Sequence, residues 1–252
     1  MTHGSLFSGI GGFDLAARWA GIDTIWMVEK DAYCQKILSK NFPGVPIYDY
    51  VQRVDKNILA KPDIISGGFP CQDVSIINLF AQKLHGKRSG LWSEYYRLIN
   101  ELQPRYIIIE NVAALVNRGL ENIVKQISEI GYNTEWKTIT ASQVGAFHKR
   151  ERVWVIAYPN SFGFLKVFEK FQNIFIEKAS GKKREEWILF YNVSARNYKI
   201  EHWEKLANII CRNDDGIPGE LDANRLRGLG NAIVPQTAYV IFEAIKMIDK
   251  NL

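Results

Sequence analysis

Short apolar runs alternate along this chain with stretches whose apolar residues recur every third or fourth position. The first pattern reads as buried strand and the second as amphipathic helix. Ser5 to Gly12 is predicted as a strand entering a Gly-rich turn, and Phe13 to Trp19 as the helix that follows. Thr24 to Val28 forms a second strand ending at Glu29, and Asp31 caps a helix to Leu38. Short strands follow at Pro46 to Asp49 and Asp63 to Ser66. Ser93 to Leu102 has helical periodicity and stops before Pro104. Tyr106 to Ile109 is a continuous apolar strand, and Leu120 to Ile130 an amphipathic helix ending at Gly131. Asn133 to Thr140 and Arg152 to Tyr158 are close enough to pair as a hairpin. Strands alternating with helices imply an α/β fold with a doubly wound, mostly parallel sheet and an antiparallel hairpin at its far edge.

Beyond Pro159 the rhythm breaks. Ser161 to Asp222 carries Lys182-Lys183-Arg184, several aromatics and no clear period, and reads as a small insertion. Thr237 to Ile248 restores the helical period and is expected to pack back on the sheet. Three units follow: 1–160, 161–222 and 223–252.

At 252 residues, 47% hydrophobic and 23% charged, the chain has the composition of one globular α/β domain. No apolar run has the length of a membrane span, and the first residues lack the pattern of a signal peptide. Cys34, Cys71 and Cys211 are odd in number and widely spaced. That argues against a disulfide framework or a zinc site and for a reducing, cytoplasmic setting. A net charge of +5 permits a polyanionic partner without demanding one.

The chemistry concentrates at strand ends. Gly68-Phe69-Pro70-Cys71-Gln72 follows Asp63-Ile64-Ile65, so a thiol stands just past the carboxyl end of a strand. That is the usual place for a nucleophile in an open α/β sheet, although a lone cysteine is also a common core residue. Phe7-Ser8-Gly9-Ile10-Gly11-Gly12 places glycines where a strand turns into a helix, which lets a cofactor approach the backbone. Glu29 at the next strand end suits ribose hydroxyls, or is simply a solvated terminus.

Glu110, at the end of its apolar strand, is expected to be desolvated, which raises its pKa and suits a proton donor; an ion-paired or capping glutamate is the alternative. In an extended segment Arg150 and Arg152 point to one side, which suits phosphate or base oxygens or a charged strand edge.

Taken together, SLFSGIGGFDLA, VEKD, GGFPCQD, RSGLW, IIIENV, HKRERVW and GLGNAIVPQ stand in the order found in the cytosine carbon-5 DNA methyltransferases. The chain resembles that family over residues 5–158 and 225–248, most closely its short phage and prophage forms. The resemblance implies a Rossmann-like fold of the S-adenosylmethionine-dependent methyltransferase class. It makes Phe7, Gly9, Ile10, Gly11 and Gly12 the loop around the amino-acid end of S-adenosyl-L-methionine and Glu29 the ribose ligand. Gly68, Phe69, Pro70 and Leu91 flank the cofactor, and Asn231 and Ala232 close the pocket. Cys71 becomes the nucleophile, Glu110 the group at ring nitrogen 3 of the target cytosine, and Arg150 and Arg152 the holders of the flipped nucleotide.

Two segments depart from the family pattern. Tyr48-Asp49-Tyr50-Val51 has one acidic residue where two are frequent; the resemblance carries Asp49 over as the cofactor ligand toward the adenine amino group, with its position there left open. The loop after Cys71 is apolar where glycines are usual; His148 fits the pattern.

The implied reaction is attack of the Cys71 thiolate on carbon 6, methyl transfer to carbon 5 and elimination. It requires a base flipped out of duplex DNA. Gln72 to Arg88 is the expected lid, with Gln72, Ser75 and Arg88 facing DNA, and the insert carries Lys182, Lys183 and Arg184 for phosphates. No metal is expected, and the enzyme is expected to work as a monomer. RNA methylation, a catalytically silent homologue and a Cys-dependent hydrolase are the rivals. The first lacks its Cys-Phe-Thr signature here, the second does not explain Cys71 with Glu110, Arg150 and Arg152, and the third leaves the glycine turn and Glu29 without a role.

Overall fold

The computed structural model describes residues 1–69, 90–144, 149–180 and 232–252. The strands are β1 (Thr2–Leu6), β2 (Asp23–Val28), β3 (Ile47–Tyr48), β4 (Ile64–Gly67), β5 (Tyr106–Val112), β6 (Tyr132–Thr140) and β7 (Glu151–Pro159). They form one sheet in the order β3-β2-β1-β4-β5-β7-β6. β1 to β5 are mutually parallel, and β7 runs antiparallel to both β5 and β6. The chain order reverses between β1 and β4, and a crevice for ligands belongs at the carboxyl ends of those strands.

Helices cover both faces. On one side lie α3 (Leu91–Leu102) and α5 (Leu120–Glu129), with the short α4 (Leu115–Arg118) ahead of α5. Trp92, Tyr95, Leu98, Ile123 and Ile127 pack there on Ile107, Ile109, Val153 and Val155. On the other side α1 (Gly12–Trp19), α6 (Val167–Ser180) and α7 (Pro235–Asp249) cover Tyr106, Ile108, Trp154, Ile156 and Tyr158. Alternate residues of β5 and β7 thus enter opposite cores, which is why both read as unbroken apolar runs. The remaining helix, α2 (Ala32–Asn41), begins as predicted at Asp31, whose side chain accepts from the amides of Tyr33 and Cys34.

Two elements differ from the sequence expectation. β5 runs on through Glu110 to Val112, because Glu110 pairs with Trp154 and Val112 with Arg152. The stretch opening at Ser161 was expected to be aperiodic, yet it contains α6. Its Val167, Phe168, Phe171 and Ile174 are buried with α7, a helical spacing hidden in sequence by the surrounding aromatic and basic residues. As expected, α7 returns to the sheet and packs on α1, where Lys246 Nζ caps the Ala20 carbonyl. Among the described residues no helix is long and apolar enough to cross a membrane.

Candidate active site

The turn after β1 is built from left-handed residues. Phe7, Gly9 and Gly11 have φ of 55°, 56° and 89°. Glycine reaches this region freely, whereas Phe7 must be held in it. Its ring lies edge-on to Tyr95 at 6.2 Å, the Ser8 amide donates to Val28 O at 3.1 Å, and the Gly11 amide to Ser8 O at 2.9 Å. Glu29 braces the same turn, with Oε2 accepting from the Gly9 amide and Oε1 from the Asp31 amide, both at 2.8 Å. Gly12 is required by close approach, since a Cβ there would stand 2.6 Å from Ile233 Cγ1.

A cavity of about 690 Å³ opens from this turn across the carboxyl ends of β1, β2, β4 and β5. Of the residues expected at the site, Phe7, Gly9, Gly12, Glu29, Asp49, Gly68, Phe69, Leu91, Glu110, Arg150, Arg152 and Ala232 all line it. Ile10 and Gly11 do not; the Cα of Gly11 faces Leu38 of α2 and Phe42 just past that helix instead. Asp49 reaches the wall, but its carboxylate is turned to Arg53 Nη1 and the Tyr50 amide, each at 2.8 Å. Pro70, Cys71, Gln72, Ser75, Arg88, His148, Lys182, Lys183, Arg184 and Asn231 lie outside the described residues.

At the far end of the cavity, Glu110 is 6% exposed. Its Oε1 stands 3.0 Å from Arg152 Nε. Burial nonetheless raises its carboxyl to about 7, outweighing the opposing pull of Arg152 and Arg150. The Arg150 guanidinium is held below its ordinary pKa by burial and by Arg152. Two arginines and a protonatable carboxyl therefore face one space, as the spacing of Arg150 and Arg152 predicts.

Sequence reading missed several wall residues. Asn111, 3% exposed, donates through Nδ2 to Phe69 O at 2.9 Å and accepts the Val112 amide on Oδ1 at 2.9 Å. It ties β5 to the peptide that leads into Pro70 and Cys71. Ser8 and Ile233 also line the cavity. Each of the three stands inside a motif named above, but their partners lie far away in sequence.

Residues 1–213 match the family described as C-5 cytosine-specific DNA methylase. The chain is 37% identical over 161 residues to the Type II methyltransferase M2.BsuMI of Bacillus subtilis, covering 61% of this chain and 41% of that protein. It is 32% identical over 174 residues to M.HhaI of Haemophilus parahaemolyticus, covering 65% and 52%. The chain thus spans about half the length of these curated relatives. A solved putative DNA modification methyltransferase encoded within an E. coli prophage superposes with a TM-score of 0.54 at 27% identity, over 68% of this chain and 50% of that one. The S. pombe Dnmt2 methyltransferase, 19% identical, shares the fold with a TM-score of 0.57 over 72% and 56%.

Proposed function

The chain belongs to the C-5 cytosine-specific DNA methylase family, and from that premise we propose that it methylates carbon 5 of cytosine in double-stranded DNA, with S-adenosyl-L-methionine as donor. The observation that carries this reading is the continuity of one cavity from the glycine turn to the buried Glu110 with Arg150 and Arg152. One end suits a cofactor and the other a base whose ring nitrogen needs a proton.

The residues present fit the cofactor. Gly9 and Gly12 line the cavity with no side chain between backbone and ligand, and Glu29 beside them offers a carboxylate suited to ribose hydroxyls. A carboxylate has about four acceptor sites, so Glu29 can keep Gly9 and Asp31 and still accept hydroxyls. When bound, the cofactor supplies an electrophilic sulfonium methyl group.

Carbon 5 of cytosine is a poor nucleophile. In the proposed sequence the Cys71 thiolate bonds to carbon 6, while Glu110, protonated, gives a hydrogen bond and then a proton to nitrogen 3. The electron pair reaches carbon 5, which takes the methyl group. Loss of the carbon 5 proton to a base then breaks the bond to sulfur and frees the thiolate, and return of the nitrogen 3 proton to Glu110 restores the ring. Arg152 holds Glu110 in place and Arg150 lies beside it, where both can bind the extruded nucleotide. Within residues 161–222 the proposed recognition surface carries Lys182, Lys183 and Arg184, while α6 at its start belongs to the packed core.

Tritiated methyl transfer to duplex DNA tests the reading. The unaltered chain should incorporate label and Cys71→Ser should not. Label persisting near the starting level in Cys71→Ser removes the thiol from the reaction, and bisulfite sequencing that finds no methylated cytosine removes the substrate.

A further inference from the structure

Beneath the glycine turn lies a buried polar chain that the proposed chemistry does not use. Asp14, in the first turn of α1, is fully buried. Its Oδ2 accepts from Ser5 Oγ at 3.2 Å, and its buried Oδ1 has no hydrogen-bond partner among the described residues. A buried carboxyl oxygen left unpaired is rare enough to need a reason. Ser8 Oγ lies 2.9 Å from Ser5 Oγ and 3.3 Å from Ser5 O, and Ser8 lines the cavity. Each hydroxyl has one proton to give. The shorter contacts therefore run in a single direction, Ser8 to Ser5 to Asp14, and end on an acceptor.

Ser8 stands between Phe7 and Gly9, both left-handed. A strained phenylalanine persists where its surroundings over-determine it, and such strain gathers at ligand sites. The serine relay tethers this turn through the Ser8 side chain, and Glu29 holds it at the Gly9 amide. Hydrogen bonds ending on an ionised acceptor are roughly twice as strong as neutral ones. The charge on Asp14 therefore sets how firmly the turn is held.

We propose that Asp14 is a positioning residue for the cofactor: through Ser5 and Ser8 its ionised carboxylate holds the glycine turn in the conformation that receives S-adenosylmethionine. This rests on the cofactor reading of the cavity given above. It assigns a role to a residue that touches no cofactor, and it makes cofactor affinity depend on one buried proton.

Burial raises the Asp14 carboxyl to about 7, against its own backbone amide, Ser5 and Arg18. Among the described residues Arg18 is the one charged group that bears on it. β1 presents His3, which burial lowers to about 3 and keeps neutral between Thr24 and Ser66. α7 presents Glu243 and Lys246, which pair with each other at the Ala20 end of α1. On α1 itself Arg18 lies over the Phe42 ring. The sign follows. If binding favours the ionised form, affinity is full above about 7 and falls as pH drops through it, by about tenfold for each unit that binding lowers the pKa.

Calorimetric titration of the full chain with S-adenosylmethionine tests this. Glu110 lines the same cavity and also titrates near 7, so all comparisons are made in a Glu110→Gln background. Adding Asp14→Asn should weaken binding about tenfold well above pH 7 and leave it unchanged well below, because asparagine mimics the neutral acid. Ser5→Ala keeps the carboxylate but severs the relay, and should weaken binding above pH 7 as well. Equal affinity of Asp14→Asn and its parent at both pH values overturns the proposal, as does an equal loss at both, which marks a purely structural role. If Asp14→Asn does not fold, judged by thermal unfolding, Ser5→Ala carries the test and undiminished affinity there overturns it. A parent chain that binds no cofactor at any pH refutes the cofactor reading itself.

Discussion

Asn111 Nδ2 donates to Phe69 O at 2.9 Å across 42 residues of chain, one residue short of the peptide that carries Cys71. The bond is buried and joins the ends of β4 and β5, so it sets the point from which the cysteine segment departs. Asn111→Ala leaves the Phe69 carbonyl buried and unpaired, at a cost of about 1–3 kcal/mol in stability. A nucleophile displaced by even about 1 Å costs on the order of a hundredfold in rate. The expected result is a large fall in single-turnover methyl transfer with cofactor affinity nearly intact. A variant that loses stability while keeping the parent's rate assigns Asn111 to packing alone.

The raised pKa of Glu110 ties stability to pH with a definite sign. Its carboxyl goes from 4.5 in an ordinary setting to about 7 in the fold. Between those values the folded chain holds the proton more tightly than the unfolded one, so its contribution is present below about 4.5 and is lost as pH rises through about 7. The full swing is about 3 kcal/mol. Asp14 acts in the same direction. Urea unfolding from about pH 5 to about pH 8 should show stability falling, with a shallower slope in Glu110→Gln. Parallel curves for the two proteins mean that Glu110 does not titrate in this window. The same protonation suits its proposed role as donor to nitrogen 3.

Gly68 keeps that carboxyl where it is. A Cβ at this position would stand 2.9 Å from Glu110 Oε2 and 3.5 Å from Glu110 O. Gly68→Ala must therefore move Glu110 or the strand end bearing it, and a shift of this size is expected to lower methyl transfer by on the order of a hundredfold. Circular dichroism should remain that of the parent, because the clash is confined to the cavity. Unchanged activity in a folded Gly68→Ala protein removes the proposed role of Glu110 geometry.

What the sequence made legible was local or periodic. The apolar run at Tyr106 to Ile109 announced a central strand, and the order of strands and helices announced the parallel sheet with its terminal hairpin. Glu29, Gly68 and Glu110 each read as standing at or just past a strand end, and in the fold all three share the cavity wall. What stayed hidden depends on packing between distant segments. Nothing local in Asn111 says that it reaches Phe69, nor in Ile233 that it fills the space over Gly12. Gly11 belongs to the same motif as Gly9 but serves contact with α2, a division the spacing does not reveal. Asp49 illustrates the converse case: its place on the wall was legible, and the turn of its carboxylate toward Arg53 was not.

Glu29 combines both kinds of information and yields the last prediction. From its position it is expected to bind ribose hydroxyls; in the fold it also holds the amides of Gly9 and Asp31 at 2.8 Å. Glu29→Ala then removes a ligand to the cofactor and two braces of the turn at once. Hydrogen bonds to a charged group contribute about 1.5–3 kcal/mol each, so cofactor affinity should fall by at least tenfold. Thermal stability without cofactor should fall too, because the Gly9 amide loses its acceptor. Glu29→Gln separates the two functions. Its carbonyl oxygen can still accept one amide, whereas its amino group cannot accept a hydroxyl or the second amide. Stability should recover in part and affinity should not. If calorimetry finds Glu29→Gln binding S-adenosylmethionine as tightly as the parent, Glu29 braces the glycine turn and does not contact the ribose.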